Sequence, residues 1–270
     1  MRRLFALIAL LFLAAAAPVL AAPASDGWRQ VDPENLLILT TTKGVVAIEM
    51  EPRAAPQSVA HLKGLVRAGF YDGSLWYRVA SFVAQTGDKG TWKYSSGALG
   101  LPAEFTFPDP AGGIPPPPVE IGPPAPRFLG SLPIAVPPAG SPTTPAWASY
   151  CIGVAGLAHG EDPNSGESQM FFALVKADNL DKLYTAWGRV LVGMDVLKSL
   201  AVGEPPAQPD KVLTARIAAD IPAAERPVAE VLDTTGPRFE RLLRDARRSR
   251  GGENPRACDV DLQPRLRPAS

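Results

Sequence analysis

Fifteen of the thirty prolines in this 270-residue chain fall between Pro102 and Pro145. Proline lacks a backbone N–H and fixes φ, so neither a helix nor a central strand is expected to run through that window. Runs such as Ile114-Pro115-Pro116-Pro117-Pro118 and Pro123-Pro124-Ala125-Pro126 favour polyproline II geometry. Phe105, Phe107, Phe128, Leu129 and Trp147 nevertheless offer apolar anchors. The window therefore reads as an ordered or partly ordered surface excursion, not a free linker. Regular structure is expected on either side of it.

Those flanks have a globular balance. The chain has 46% hydrophobic residues, which excludes a long disordered chain. Its 27 basic and 27 acidic residues argue against a nucleic-acid binder that works by neutralising phosphates. Two cysteines exclude a disulfide-dense scaffold and a four-cysteine zinc or iron–sulfur site.

The chain opens on Met1-Arg2-Arg3, an apolar run from Leu4 to Leu20, and Ala21-Ala22-Pro23-Ala24. A basic start, an apolar stretch and small residues at the end describe a signal peptide over residues 1–21. Cleavage is expected after Ala21, with Ala24 as the second choice. The other reading is an N-terminal membrane anchor, for which the run is near the lower length limit. The expected location is exported and periplasmic, or else secreted, with no stable membrane insertion after cleavage. An oxidising compartment preserves disulfides. Cys151 and Cys258 allow one pairing, which closes a loop of roughly a hundred residues worth about 4–5 kcal/mol in the chain-entropy model. The alternative is two free thiols, one in a strand and one in a loose tail.

Apolar and β-branched alternation predicts strands at Leu36–Thr41 and Val45–Met50, around a Thr42-Lys43-Gly44 turn. A helix follows, with Pro56 near its start, Val59, Leu62, Leu65 and Val66 on one face, and Gly69 at its stop. Further strands are predicted at Leu75–Val79, Phe82–Gln85, Ala148–Leu157, Gln169–Val175, Thr185–Val190 and Lys211–Ala218. Gly193–Leu200 reads as a second helix. Phe239–Arg250 reads as a basic helix with Leu242, Leu243 and Ala246 on one side. The last twenty residues read as loose. The class is mainly β, as a closed barrel or a sandwich.

The chemistry available is narrow. His61, Cys151, His159 and Met194 supply metal-ligand types on no recognisable spacing, so no metal is expected. No Gly-x-Ser-x-Gly elbow and no phosphate-cradling glycine loop is present. What stands out is polar residues inside strands that otherwise read as core: Arg78, Gln85 and Gln169. A half-buried arginine is costly without partners or a task. Alternatively, Arg78 snorkels from a sheet edge. Strand pattern does not choose between these.

Two segments carry a resemblance. Trp76-Tyr77-Arg78-Val79, a short turn and Phe82-Val83-Ala84-Gln85-Thr86-Gly87-Asp88 resemble the first signature of the cyclophilins, a family of peptidyl-prolyl cis–trans isomerases. Glu167-Ser168-Gln169-Met170-Phe171-Phe172 resembles the second. Leu180-Asp181, Trp187-Gly188-Arg189-Val190 and Gly193-Met194-Asp195-Val196-Leu197 continue the match. It covers residues 36–88 and 149–218. The long excursion and the C-terminal extension look like an exported bacterial subgroup.

The resemblance implies a closed eight-stranded antiparallel barrel capped by two helices, over residues 36–218. Residues 102–147 would be an insertion within it, and 221–270 a C-terminal extension. It implies a monomeric isomerase of X–Pro bonds that needs no cofactor, acting on proline-containing polypeptides such as unfolded exported proteins. Arg78 would be the catalytic arginine, and Gln85 would hold it and the substrate backbone in register. Phe82 and Phe171, with Leu180, would wall the proline pocket. Gln169, Ala158 and His159 would line the neighbouring groove, with Asn179 and Tyr184 at the rim. Asn179 stands where the family often has an aromatic ring that contributes to cyclosporin binding, which implies weak inhibition by that drug. The alternative role is a cyclophilin-fold chaperone or binding module with little turnover. The excursion directly follows the first signature and is placed to cover the groove.

Overall fold

The computed structural model describes residues 27–87, 100–108, 126–136 and 145–268. The expected signal segment, Asp88, and residues 109–125 and 137–144 of the proline-rich window lie outside the described residues.

Eight strands form the main sheet. In chain order they are β2 (Leu36–Thr41), β3 (Gly44–Met50), β4 (Arg78–Ala80), β5 (Val83–Thr86), β9 (Val154–Leu157), β10 (Met170–Ala173), β11 (Thr185–Val192) and β12 (Val212–Ile217). The remaining strands are β1 (Trp28–Gln30), β6 (Arg127–Leu129), β7 (Leu132–Ala135), β8 (Trp147–Ala148), β13 (Val228–Leu232) and β14 (Arg265–Arg267). Among the described residues there are three α-helices, α1 (Pro56–Arg67), α2 (Met194–Lys198) and α3 (Pro237–Ser249), beside five short 3-10 turns.

The main sheet is antiparallel, in the order β12-β2-β3-β11-β9-β10-β5-β4. Alternation sends one side chain of each pair inward. Leu37, Leu39, Val46, Ile48, Met50, Val79, Ala84 and Phe172 meet around Trp76 and Trp187 in the main core. Helix α1 adds Val59, Leu62 and Val66 at helical spacing. The edge strands β4 and β12 share no continuous ladder. Isolated bridges Leu75–Lys211 and Val79–Gly203 join the two edges, with Trp76 N–H donating to Asp210 O at 2.9 Å.

Several elements differ from expectation. The strand predicted at Leu75–Val79 shrinks to β4, because Leu75 and Trp76 bond to the segment before β12 instead. The strand predicted at Ala148–Leu157 breaks into β8 and β9. The chain turns between them, with Cys151 N–H donating to Ser149 O and Val154 N–H to Cys151 O. The proline-rich window does contain a central strand. Sheet β6-β7-β8 has Pro133 in its middle strand, opposite Phe128, and the Pro133 carbonyl accepts from Ser149 N at 2.9 Å. Proline lacks only the donor, so it can serve a ladder through its carbonyl. Phe107, Phe128 and Leu129 are buried, while Phe105 and Trp147 are partly buried.

The tail is not loose. β14 pairs with β13, which pairs with β1, in a third sheet. Val260 and Leu262 are buried with Phe239 and Leu243 of α3, and Phe239 meets Phe128 edge-on at 5.9 Å. Isolated apolar residues in a polar tail show no period, so their docking had no local signal. Cys151 and Cys258 are disulfide-bonded, 107 residues apart, tying the tail to the turn before β9.

Candidate functional site

The register of four neighbouring strands lines up one row of side chains. Arg78 of β4 lies opposite Gln85 of β5, Gln85 opposite Phe171 of β10, and Phe171 opposite Gly156 of β9. Directly paired residues share a face. Their neighbours Val79, Ala84 and Phe172 point into the main core, so the row stands on the outer face. Gly156 completes it by having no side chain, since a Cβ there would run into the Phe171 ring.

A hydrogen-bonded polar cluster forms one end. Gln85 Nε2 donates to Tyr77 Oη at 2.6 Å and lies 3.1 Å from Gln169 Oε1. Tyr77 Oη–H donates to Gln169 Oε1 at 2.5 Å. Arg78 Nη1 faces Gln85 Oε1 at 3.5 Å, a long contact, and Arg78 Nε pairs with Glu204 Oε2 at 3.2 Å. The guanidinium carbon lies 5.7 Å from the centre of the Phe82 ring, which is 49% exposed. Arg78 is therefore partnered and half-exposed, not a lone snorkelling side chain.

Aromatic rings form the other end. Phe171, 5% exposed, lies parallel to Tyr150 at 5.8 Å and edge-on to Tyr184 at 5.4 Å. Val83 is buried in the same cluster, with Leu180, Ala158 and Tyr184 partly buried against it. Tyr184 stacks on His159 at 4.5 Å, and His159 meets Phe105 of the proline-rich window at 5.7 Å. The two nitrogens of His159 lie 2.8 Å from Gly160 O and Leu183 O, which fixes the ring. The strand end beside it is tied by Ala158 N–H donating to Gln169 O.

Burial shapes the electrostatics. It pushes the Tyr150 hydroxyl well above its ordinary range, and its oxygen has no hydrogen-bond partner among the described residues. Burial also raises Asp181 beside the rim, against the opposing hydrogen bond from Tyr150 N–H at 2.8 Å. The aromatic end of the row is thus apolar and the Arg78 end polar.

Nine of the ten residues singled out in sequence fall in this one region. Asn179 is exposed on the short turn Asp178–Leu180, and no hydrogen bond or ring contact among the described residues joins it to the row. His61 sits on α1 and takes no part. Sequence reasoning missed four contributors: Tyr77, Tyr150, Glu204 and Phe105. Tyr77 had one available signal, its place beside Arg78 in the first motif.

Comparison with known proteins follows the same lines. The family model described as "Cyclophilin type peptidyl-prolyl cis-trans isomerase/CLD" matches residues 36–217. A Brucella suis protein named "Probable peptidyl-prolyl cis-trans isomerase" is 34% identical over 198 residues, covering 70% of this chain and 85% of that protein. A Gibberella zeae "Peptidyl-prolyl cis-trans isomerase-like 1" is 27% identical over 188 residues, covering 67% of this chain and 93% of that protein. The crystal structure of cyclophilin AquaCyp293 from Hirschia baltica aligns with a TM-score of 0.78 and 33% identity, covering 90% of this chain and 94% of that one. The chain therefore belongs to the cyclophilin-type peptidyl-prolyl cis–trans isomerases.

Proposed function

We propose that the Arg78–Gln85–Phe171 row is the active groove, and that it isomerises X–Pro bonds of exported polypeptides without covalent chemistry or a cofactor. The row itself carries the reading: one donor-rich end and one apolar aromatic end, set side by side by strand register.

Rotation about X–Pro is slow because the planar amide has partial double-bond character, with a barrier of about 18–20 kcal/mol. No bond breaks, so no nucleophile or proton shuttle is required. Phe171, between Tyr150 and Tyr184 and beside Val83 and Leu180, offers an apolar seat for the proline ring. An apolar setting disfavours the charge separation of the planar amide. The Arg78 guanidinium would donate to the prolyl nitrogen as the amide twists, an interaction stronger in the transition state than in the ground state. Lowering the barrier by about 7 kcal/mol corresponds to roughly 10⁵-fold acceleration.

The bridges between the β4 and β12 edges support reading the main sheet as a closed barrel. The basic-apolar start of the chain and the Cys151–Cys258 disulfide support export to an oxidising compartment. Isomerisation of an X–Pro peptide, followed by protease coupling or by exchange NMR, tests the groove. Arg78→Ala should reduce kcat/KM by about 10²-fold or more, as expected for a lost transition-state donor. Wild-type turnover in Arg78→Ala would overturn the assignment. Absence of turnover in the unaltered chain, with unfolded-client binding retained, would favour a binding module.

A further inference from the structure

We infer that Glu204 is a positioning residue that holds the Arg78 guanidinium in its working orientation, an inference that rests on the reading of the Arg78 groove as the active site.

The placement follows from backbone pairing. Val79 N–H donates to Gly203 O and Gly203 N–H donates to Val79 O, both at 2.9 Å, an antiparallel bridge. In an antiparallel pair the flanking residues oppose each other on a shared face. Arg78 precedes Val79 and Glu204 follows Gly203, so the two are directly opposite. The turn depends on glycine at 203. Its φ is 153°, and a Cβ there would lie 2.5 Å from Pro206 Cα. Glu204 is thus delivered to Arg78 by the closing turn between the two sheet edges, not by a chance surface encounter.

The contact divides the guanidinium between two tasks. A guanidinium has five N–H donors in a fixed plane. Glu204 Oε2 engages Nε at 3.2 Å, on the side of the stem. Gln85 Oε1 lies 3.5 Å from Nη1, and the Phe82 ring lies near the central carbon. The remaining Nη hydrogens are left for the prolyl nitrogen. A carboxylate on Nε sets the plane of the group before substrate arrives, which is how a long side chain becomes a preorganised donor. The two side chains are 39% and 49% exposed. Exposed pairs contribute little to folding, so a variant at 204 should alter catalysis and leave stability nearly untouched.

The test measures Glu204→Gln, Glu204→Ala and Glu204→Asp beside Arg78→Ala in the full mature chain. Glu204→Gln and Glu204→Ala should lower kcat by about three- to tenfold with KM nearly constant. Glu204→Asp should recover part of the loss. The midpoint of thermal unfolding should be unchanged. In ¹H–¹⁵N spectra the Arg78 Nε–H signal should be visible in the unaltered protein and broaden in Glu204→Gln. An unchanged or raised kcat in Glu204→Gln, or a loss appearing only in KM, would overturn the inference. If Arg78→Ala is inactive while Glu204→Gln matches the unaltered chain, only the positioning role fails. If Arg78→Ala remains active, the groove assignment fails and the positioning role with it.

Discussion

The hydroxyl of Tyr77 joins two glutamines that lie 84 residues apart in the chain. Tyr77→Phe keeps the ring and removes both hydrogen bonds. Gln85 Nε2 would then keep only its 3.1 Å contact to Gln169, and Gln85 would lose one of the constraints that aim its Oε1 at Arg78. We expect a stability loss of about 1–2 kcal/mol by urea unfolding, the cost of unmaking buried hydrogen bonds. Turnover should fall several-fold in the same isomerase assay. An unaltered rate would show that Gln169 alone positions Gln85. At this scale the sequence was partly legible. Arg78, Gln85 and Gln169 stood out as polar residues in apolar strands. Tyr77 and Tyr150 did not, because an aromatic residue in an apolar run reads as core whether or not it carries a hydroxyl to the site. Glu204 did not, because nothing near it in sequence indicates which strand it will face.

At the scale of elements, α1 depends on a residue far from it. Ala55 at its start offers no side-chain cap. Instead the Glu104 carboxylate accepts from Gln57 N–H and Ser58 N–H, both at 2.9 Å, from within the proline-rich window. Glu104 N–H donates in turn to Thr185 Oγ1 of β11. The carboxylate satisfies two orphan donors and favours the positive end of the helix, so Glu104→Ala should cost about 1 kcal/mol, read from a urea titration. A change in midpoint no larger than experimental error would show that water caps the helix as well. The β2–β3 hairpin and α1 were legible because their periods, two and 3.6, repeat over enough residues. β14 was not, and β4 and β8 were read only as parts of longer strands. Each has only two or three residues, and each exists because a distant strand pairs with it. Pro133 in β7 misled for the opposite reason: the local rule against proline in a central strand concerns the missing donor, and here the carbonyl does the bonding.

At the scale of the molecule, the described segments before and after the main sheet, and the described parts of the proline-rich window, pack onto the isomerase fold. β1 comes from the start, and β13, α3 and β14 from the end. Arg29 of β1 pairs bidentately with Glu49 of β3, at 2.7 and 2.8 Å, and the same carboxylate accepts from Ser131 N–H in the β6–β7 hairpin. Arg189 of β11 donates to Ser131 O, and burial lowers its pKa despite nearby Asp261 and Glu49. The disulfide adds a covalent tie, and its tail half-cystine, Cys258, packs on the cluster that holds Phe171. Replacing both cysteines by serine should reduce unfolding free energy by about 4–5 kcal/mol in the chain-entropy picture, in urea titrations of the two proteins. Unfolding that is indifferent to the bridge would assign the docking of the tail to Val260, Leu262 and α3 alone.

The sequence by itself determined the strands and helices long enough to show a period, the polar residues that interrupt them, and the two motifs that carry Arg78, Gln85, Gln169 and Phe171. These are local properties, written in the alternation that backbone geometry imposes on neighbouring side chains. Tertiary structure decided the rest: the register that makes Arg78, Gln85, Phe171 and Gly156 one row, the turn that brings Glu204 to the guanidinium, the ring of Phe105 beside His159, and the docking of a polar tail. Each joins segments tens to more than a hundred residues apart. No local period encodes such a meeting, because which partners meet depends on how all the strands pair and pack together.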